Sequence, residues 1–255
     1  MDKERKAARW RKRRIIYNND GSDVYEAKSR HDLQMQFTKR SGGQLRDDFL
    51  YARSTPLVGT QVDSIWYCSC LGGVMFSHHT KLGGFLGKEL PQELVDKYGC
   101  DNLQIQLDFC RERDVEAFWS MRMNDTHDAY PVGPWRYGLA SFKREHPEYM
   151  MGAPDDWEKY PKGPKREWSS LDFSYPEVRE HIFLLIQEVC EGYEVDGVEL
   201  DFLRHPKYFA PTADGLPAEE QHLEVMTDLV RRISSMAGEV GRQRGRPLLL
   251  AVRTP

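Results

Sequence analysis

Val195-Asp196-Gly197-Val198-Glu199-Leu200-Asp201-Phe202-Leu203-Arg204-His205-Pro206 decides how the rest of this chain reads. An acidic-Gly turn enters a short apolar run, and the run ends on a carboxylate followed by Arg204 and His205. Side chains on a strand alternate between its faces. Glu199 and Asp201 therefore share one face, while Val198, Leu200 and Phe202 share the other. Two acids on one face of so apolar a strand are costly unless paired, hydrogen-bonded or put to use.

On both sides of this strand, β-like runs alternate with helical ones. Strands are predicted at 14–18, 64–68, 115–121, 198–202 and 247–252, the last ending at Arg253. Over 101–113, Leu103, Leu107 and Cys110 recur at helical spacing beside Ile105 and Phe109. Ser174-Tyr175-Pro176-Glu177 has the form of a capping box, with Ser174 as cap, Pro176 in the first turn and Glu177 reaching back. The helix it starts should turn Val178, Ile182, Leu185, Ile186 and Val189 inward. A further helix at 217–241 aligns Leu223, Met226, Leu229, Val230 and Ile233.

Strands alternating with helices predict a parallel sheet. The expected fold is α/β, of the (β/α)8 TIM-barrel type. A doubly wound open sheet is the alternative, although no GxGxxG or P-loop of the kind used there for phosphate is present. A complete barrel typically takes about 250 residues, and two insertions fall here, at 71–99 and 129–168. The chain stops on a strand and so reads as truncated after about five β/α units. A basic lead-in over 1–13 precedes the N-terminal part of a barrel over 14–255.

Of 255 residues 30% are charged, and the net charge is −4. Residues 1–14 hold eight Lys/Arg against two acids, leaving 28 basic against 38 acidic residues in the remainder. Nothing in that acidic remainder continues a basic surface, so 9–14 reads as a solvated segment and no nucleic acid is expected. No run of about 18 apolar residues is present to span a membrane. The basic start leads into Ile15-Ile16-Tyr17 and then polar residues, unlike a secretory signal. A cytoplasmic location is expected, or a secreted one if the true N-terminus lies upstream. Five cysteines without a CxxC pair predict neither a disulfide framework nor a zinc ribbon.

Leu171-Asp172-Phe173-Ser174-Tyr175-Pro176-Glu177-Val178-Arg179, a helix, and then Val195 to Asp201 follow an order that recurs in barrel glycosidases. The stretch resembles the family-10-like glycosylhydrolase proteins. Their pattern is D-P/F-x-N-P-E-V-R followed by D-G-[IV]-x-[LF]-D-[YF]-x-R-x-P. Pro176 to Arg179 fit it, as do Asp196 to Val198, Leu200 to Phe202, Arg204 and Pro206; Tyr175 stands where the pattern has Asn. The resemblance covers residues 168–206. Similar strands in amylase-type and α-galactosidase-type barrels end on a nucleophilic Asp. It implies a (β/α)8 fold and a carbohydrate substrate, with no cofactor.

Glycoside cleavage usually employs two carboxyl groups, about 5–5.5 Å apart for retention and about 6.5–9.5 Å for inversion. Glu199 and Asp201 lie two strand steps apart, roughly 6.6 Å, and are stacked in depth rather than set to flank one bond. Asp201, nearest the rim, is the expected catalytic carboxylate. Glu199 is a second catalytic candidate, expected first of all beneath Asp201 and bonded to an arginine or amide. The partner acid should come from another strand end. Arg122 is expected to neutralise Glu199, and Asn124 and Asp125 to bond sugar hydroxyls. His127 is a candidate for substrate contact or proton transfer. Asn18 and Asp20 are candidates for substrate contact, although turn chemistry explains Asn19-Asp20-Gly21 equally well. Arg204 and His205 can orient the carboxylate or meet substrate, and Arg253 is the remaining counter-charge. Trp135 and Trp157 are candidate stacking platforms. No metal is predicted: a metal-dependent barrel hydrolase wants His-x-His at the first strand end, and 15–20 contains no histidine. Two functions follow, a glycoside hydrolase or hydrolase-like protein acting on poly- or oligosaccharides, and a non-catalytic carbohydrate-binding protein on a degenerate barrel.

Overall fold

Strands β1 (Ile16–Asn19) and β2 (Ser64–Tyr67) open a parallel sheet. The computed structural model describes residues 2–21, 23, 50, 53–85, 101–130, 138–160 and 166–255. After β2, the short strands β3 (Cys70–Gly72), β4 (Met75–Phe76) and β5 (Gly84–Phe85) make a separate three-stranded sheet. The main sheet continues with β6 (Glu116–Arg122), β7 (Gly197–Asp201) and β8 (Leu249–Arg253). Its spatial order is the chain order, β1-β2-β6-β7-β8, and every neighbouring pair is parallel. A doubly wound sheet reverses its order at a switch point, and these five strands contain none. The mixed α/β architecture with a parallel sheet agrees with the expected fold class.

One face of the sheet packs on helices. Register aligns Ile65 with Ala117, Tyr67 with Trp119, Trp119 with Val198 and Met121 with Leu200. These residues join one core with Leu103, Leu107 and Phe109 of helix α2 (Asn102–Arg111) and Val178, Ile182 and Ile186 of helix α3 (Pro176–Gly192). Leu229 and Ile233 of helix α4 (Glu220–Gln243) complete it. Each such side chain contributes about 1.5–3 kcal/mol on burial. The amino-terminal helix α1 (Asp2–Trp10) is largely exposed, and Arg13 beyond it pairs with Glu116 at the start of β6.

The other face is concave. β1 and β7 are separated by two strands, about 14 Å in a flat sheet. Yet Asn18 Nδ2 on β1 lies 3.2 Å from Glu199 Oε2 on β7. Only a strongly curved sheet brings them together, and the curvature gathers the polar side chains of alternate positions on the inside.

Two local expectations change. Helix α3 starts at Pro176, but its N-cap is Tyr175 and no side chain caps it. The Ser174 N–H is instead bonded to Asp172 Oδ1 at 2.9 Å. A capping box does form at α4, between Glu219 and His222. There Leu223 is 54% exposed, because His222 takes the inward position and stacks on Phe209 at 4.4 Å.

The acidic-Gly turn before β7 also gains a packing reason. A Cβ on Gly197 would meet the Phe118 ring at 2.3 Å, and that ring is itself stacked on Trp66 at 4.8 Å. Gly197→Ala should therefore lower the unfolding free energy by about 1–3 kcal/mol through overpacking. Urea unfolding should give a lower midpoint at unchanged slope; an unchanged midpoint would mean that the ring yields freely.

Candidate functional site

Alternation along β7 sends both acids to the concave face, and neighbouring strands decide their partners. Glu199 is 1% exposed. Ser120 Oγ donates to its Oε2 at 2.5 Å, Asn18 Nδ2 donates to the same oxygen at 3.2 Å, and Arg253 Nε donates to Oε1 at 3.0 Å. Asn18, expected at substrate, thus supports a buried acid. Asp201 accepts from the backbone N–H groups of Leu203 and Arg204 at 3.0 and 3.3 Å, both on Oδ1. Its Oδ2 has a longer contact, 3.4 Å from Arg253 Nη1.

Arg122 does not neutralise Glu199; Arg253 does. Ala251 stands opposite Glu199 on β8 and leaves room for Arg253, two positions on, to reach back. Arg122 turns the other way. Its Nη2 donates to Asp20 Oδ1 at 2.9 Å and its Nη1 to Asp125 Oδ2 at 3.0 Å. The side chain of Asp20 is 54% exposed.

The loop after β6 holds a second cluster. Asp125 is buried, and its Oδ1 accepts from His127 Nδ1 at 2.7 Å, the His127 backbone N–H at 2.8 Å and the Gly73 N–H at 3.3 Å. Burial alone would push this carboxyl up. The hydrogen bond from His127 and the charge of Arg122 reverse that and hold it well below the usual carboxylate range. With both oxygens engaged, Asp125 is not placed for sugar hydroxyls as expected. Asn124 is not either: its Nδ2 donates to the carbonyls of Leu171 (2.9 Å) and Lys207, and its Oδ1 accepts the Leu171 N–H at 2.9 Å. It ties two later loops to the end of β6.

His127 presents Nε2 to Arg204 Nη2 at 3.3 Å, and its ring lies between Tyr130 at 5.9 Å and His205 at 5.0 Å. His205 has a backbone φ of +51°, and its Nδ1 accepts the Thr126 N–H at 3.3 Å. Burial lowers its pKa to about 4. Trp157 meets Tyr130 edge-on at 4.8 Å, and the Arg166 guanidinium covers it at 3.7 Å. Trp135 lies outside the described residues. Sequence reasoning did not anticipate Gly73 or Tyr130. The adjacent glycines at 72–73 were the available signal, since Gly73 has φ +59° and a Cβ there would meet Asp128 Oδ2 at 2.1 Å.

Asp125, His127 and His205 bring three atoms of metal-binding types, one carboxylate oxygen and two imidazole nitrogens, within 4.8 Å of one another. No metal set was expected. The carboxylate of this group, however, already accepts four hydrogen bonds, and two guanidiniums, Arg122 and Arg204, touch the cluster. It is built as a hydrogen-bond network. Addition of cobalt(II) should produce no visible d–d absorption beyond that of the aqueous ion; a stronger, stoichiometric band would show that the metal displaces these donors.

Asp125→Asn should cost about 3–5 kcal/mol at neutral pH, because a buried guanidinium loses its charged partner. The sign with pH follows from the lowered folded-state pKa. The contribution of the carboxylate is complete above the unfolded value, about 3.9, and declines as pH falls toward the folded one. The gap in melting temperature between parent and variant should therefore narrow from pH 7 to pH 3. A constant gap would deny the carboxylate its charged role.

No family model matches the chain, so the resemblance to family-10-like glycosylhydrolases stays one of local motif. No curated protein matches it. Similar solved structures include α-L-fucosidase isoenzyme 2 from Paenibacillus thiaminolyticus, at 14% identity and TM-score 0.49, covering 94% of this chain and 32% of that one. The GH36 α-galactosidase AgaA from Geobacillus stearothermophilus is 15% identical with TM-score 0.45, covering 96% and 29%. A hypothetical protein from Ruminiclostridium thermocellum is 10% identical with TM-score 0.44, covering 92% and 96%. The chain thus spans about a third of the fucosidase's length. Among the described residues, no helix is long and apolar enough to cross a membrane.

Proposed function

We propose that the concave rim is a carbohydrate-processing site, of a glycoside hydrolase or hydrolase-like protein, with Asp201 as the carboxylate that meets the glycosidic bond. One observation carries this reading. Both stacked acids are buried, but Glu199 is saturated by three donors, whereas Asp201 Oδ2 has, among the described residues, only the 3.4 Å contact with Arg253. The two N–H bonds to Oδ1 fix the orientation of Asp201, and Arg253 aligns it from the side. In glycoside cleavage such a carboxylate serves as nucleophile or base. His127 is suited to the proton transfer, since Asp125 holds its Nδ1 and turns Nε2 outward.

A second reading, saccharide binding without turnover, is favoured by one feature. No other acid at the described rim is unengaged: Asp125 is sealed, and Asp20 is tied to Arg122.

Asp201→Asn should lower turnover of oligosaccharides or aryl glycosides by roughly a thousandfold or more. Its stability should stay within about 1 kcal/mol of the parent, because Asn retains the Oδ1 acceptor of the turn. Undiminished turnover removes Asp201 from the reaction. Saccharide binding by a parent protein without turnover selects the second reading, and absence of both sinks the proposal.

A further inference from the structure

We infer that Arg204 and His205 form a donor pair for a carboxylate on the sugar, so that the saccharide handled at this rim carries a uronic acid. The inference deepens the proposed function and rests on it.

The charges around the rim are otherwise paired off. Arg122 holds Asp20 and Asp125, Arg253 holds Glu199 and Asp201, Lys143 holds Asp128 at 2.8 Å, and Lys207 holds Glu167. Arg204 differs. Among the described residues no carboxylate accepts from its guanidinium, whose contact is with the ring nitrogen of His127. A guanidinium presents its donors in a planar fork that fits a carboxylate with two parallel bonds.

His205 supplies a second donor by a tautomer argument. Its Nδ1 accepts the Thr126 N–H, so in the neutral ring the proton sits on Nε2. No protein acceptor for that Nε2–H is found among the described residues. Burial keeps the ring neutral at pH 7, which preserves the arrangement. The backbone of His205 sits at φ +51°, a region costly for a residue with a Cβ, and strain of this kind collects at ligand sites. Beside it, the Thr126 hydroxyl is buried without a hydrogen-bond partner. Such an orphan is rare in a settled structure and points to a polar group that completes the site.

Position links this pair to the chemistry. Arg204 and His205 bracket His127 from adjacent positions, and the Arg204 N–H is bonded to Asp201 Oδ1. A carboxylate held here lies one loop from the rim carboxylate. It would also draw Arg204 off His127 Nε2 and so release the nitrogen assigned to proton transfer.

The test compares oligogalacturonides with neutral galacto-oligosaccharides of the same linkage, by calorimetry on the whole chain. The acidic series should bind about tenfold tighter or more, as a charge-assisted pair predicts. That preference should collapse in Arg204→Gln and weaken with added salt. Arg204 is exposed, so the variant should keep the parent's melting temperature. Equal binding of the two series, or a preference that survives in Arg204→Gln, overturns the inference and leaves the hydrolase reading standing. Failure of both series to bind likewise overturns the inference, while the hydrolase reading is decided by turnover in the parent and Asp201→Asn.

Discussion

Arg253 is the residue on which the concave face depends. Two carboxylates on adjacent same-face positions of β7 repel each other, and removing either from water uncompensated costs several kcal/mol. One guanidinium, delivered by the neighbouring strand in register with Asp201, answers both. The remaining lone pairs of Glu199 are taken by Ser120 from one flank and by Asn18 from β1, two intervening strands away. The second of these is possible only in a curved sheet. Electrostatic satisfaction and sheet curvature are therefore the same requirement seen from two sides: flattening the sheet would strip a donor from a buried charge.

The loops above the sheet obey a similar rule. Arg122 faces Asp201 across β6 and β7 but spends its donors on Asp20 and Asp125, so it locks the loop after β6 to the end of β1. Asn124 clamps the segments at 171 and 207, and Lys143, itself buried, pins the second insertion to Asp128. Ser169 Oγ adds a 2.5 Å bond to the same carboxylate. The described part of the second insertion is thus held down by polar side chains of one short loop together with apolar residues, Ala140 and Phe142 among them, that join the main core. This gives irregular chain enough rigidity to carry a site.

How much of this was legible follows from which physical signals are local. Strand positions were readable because an apolar face packed on helices and a polar concave face impose a period of two, as in Val198-Glu199-Leu200-Asp201. Helix α3 was readable from its apolar stripe and from Pro176 at its first turn. The cap was not: Tyr175 takes the N-cap position in place of Ser174, whose backbone N–H closes a local turn on Asp172 Oδ1. The partner of Glu199 was not legible either. Arg122 and Arg253 flank β7 symmetrically in sequence terms, and only the pull of Asp20 and Asp125 decides between them. Asn124 misled for a general reason. An amide after a strand reads as a ligand contact, but the same donor and acceptor also fit a passing backbone, and here that backbone is close.

What separates the two acids of β7 chemically is the exchangeability of their partners. Around Glu199 every donor is a side chain held by its own strand, so a substrate atom could enter only by breaking the sheet's internal pairing. Around Asp201, Oδ1 is fixed by the turn that follows, while Oδ2 has one distant partner on the half-buried Arg253. A carboxylate with one oxygen fixed and the other loosely held keeps its orientation while the second oxygen can change partners. Depth along a single strand, two residues apart, thus gives one pair of carboxylates two different degrees of freedom.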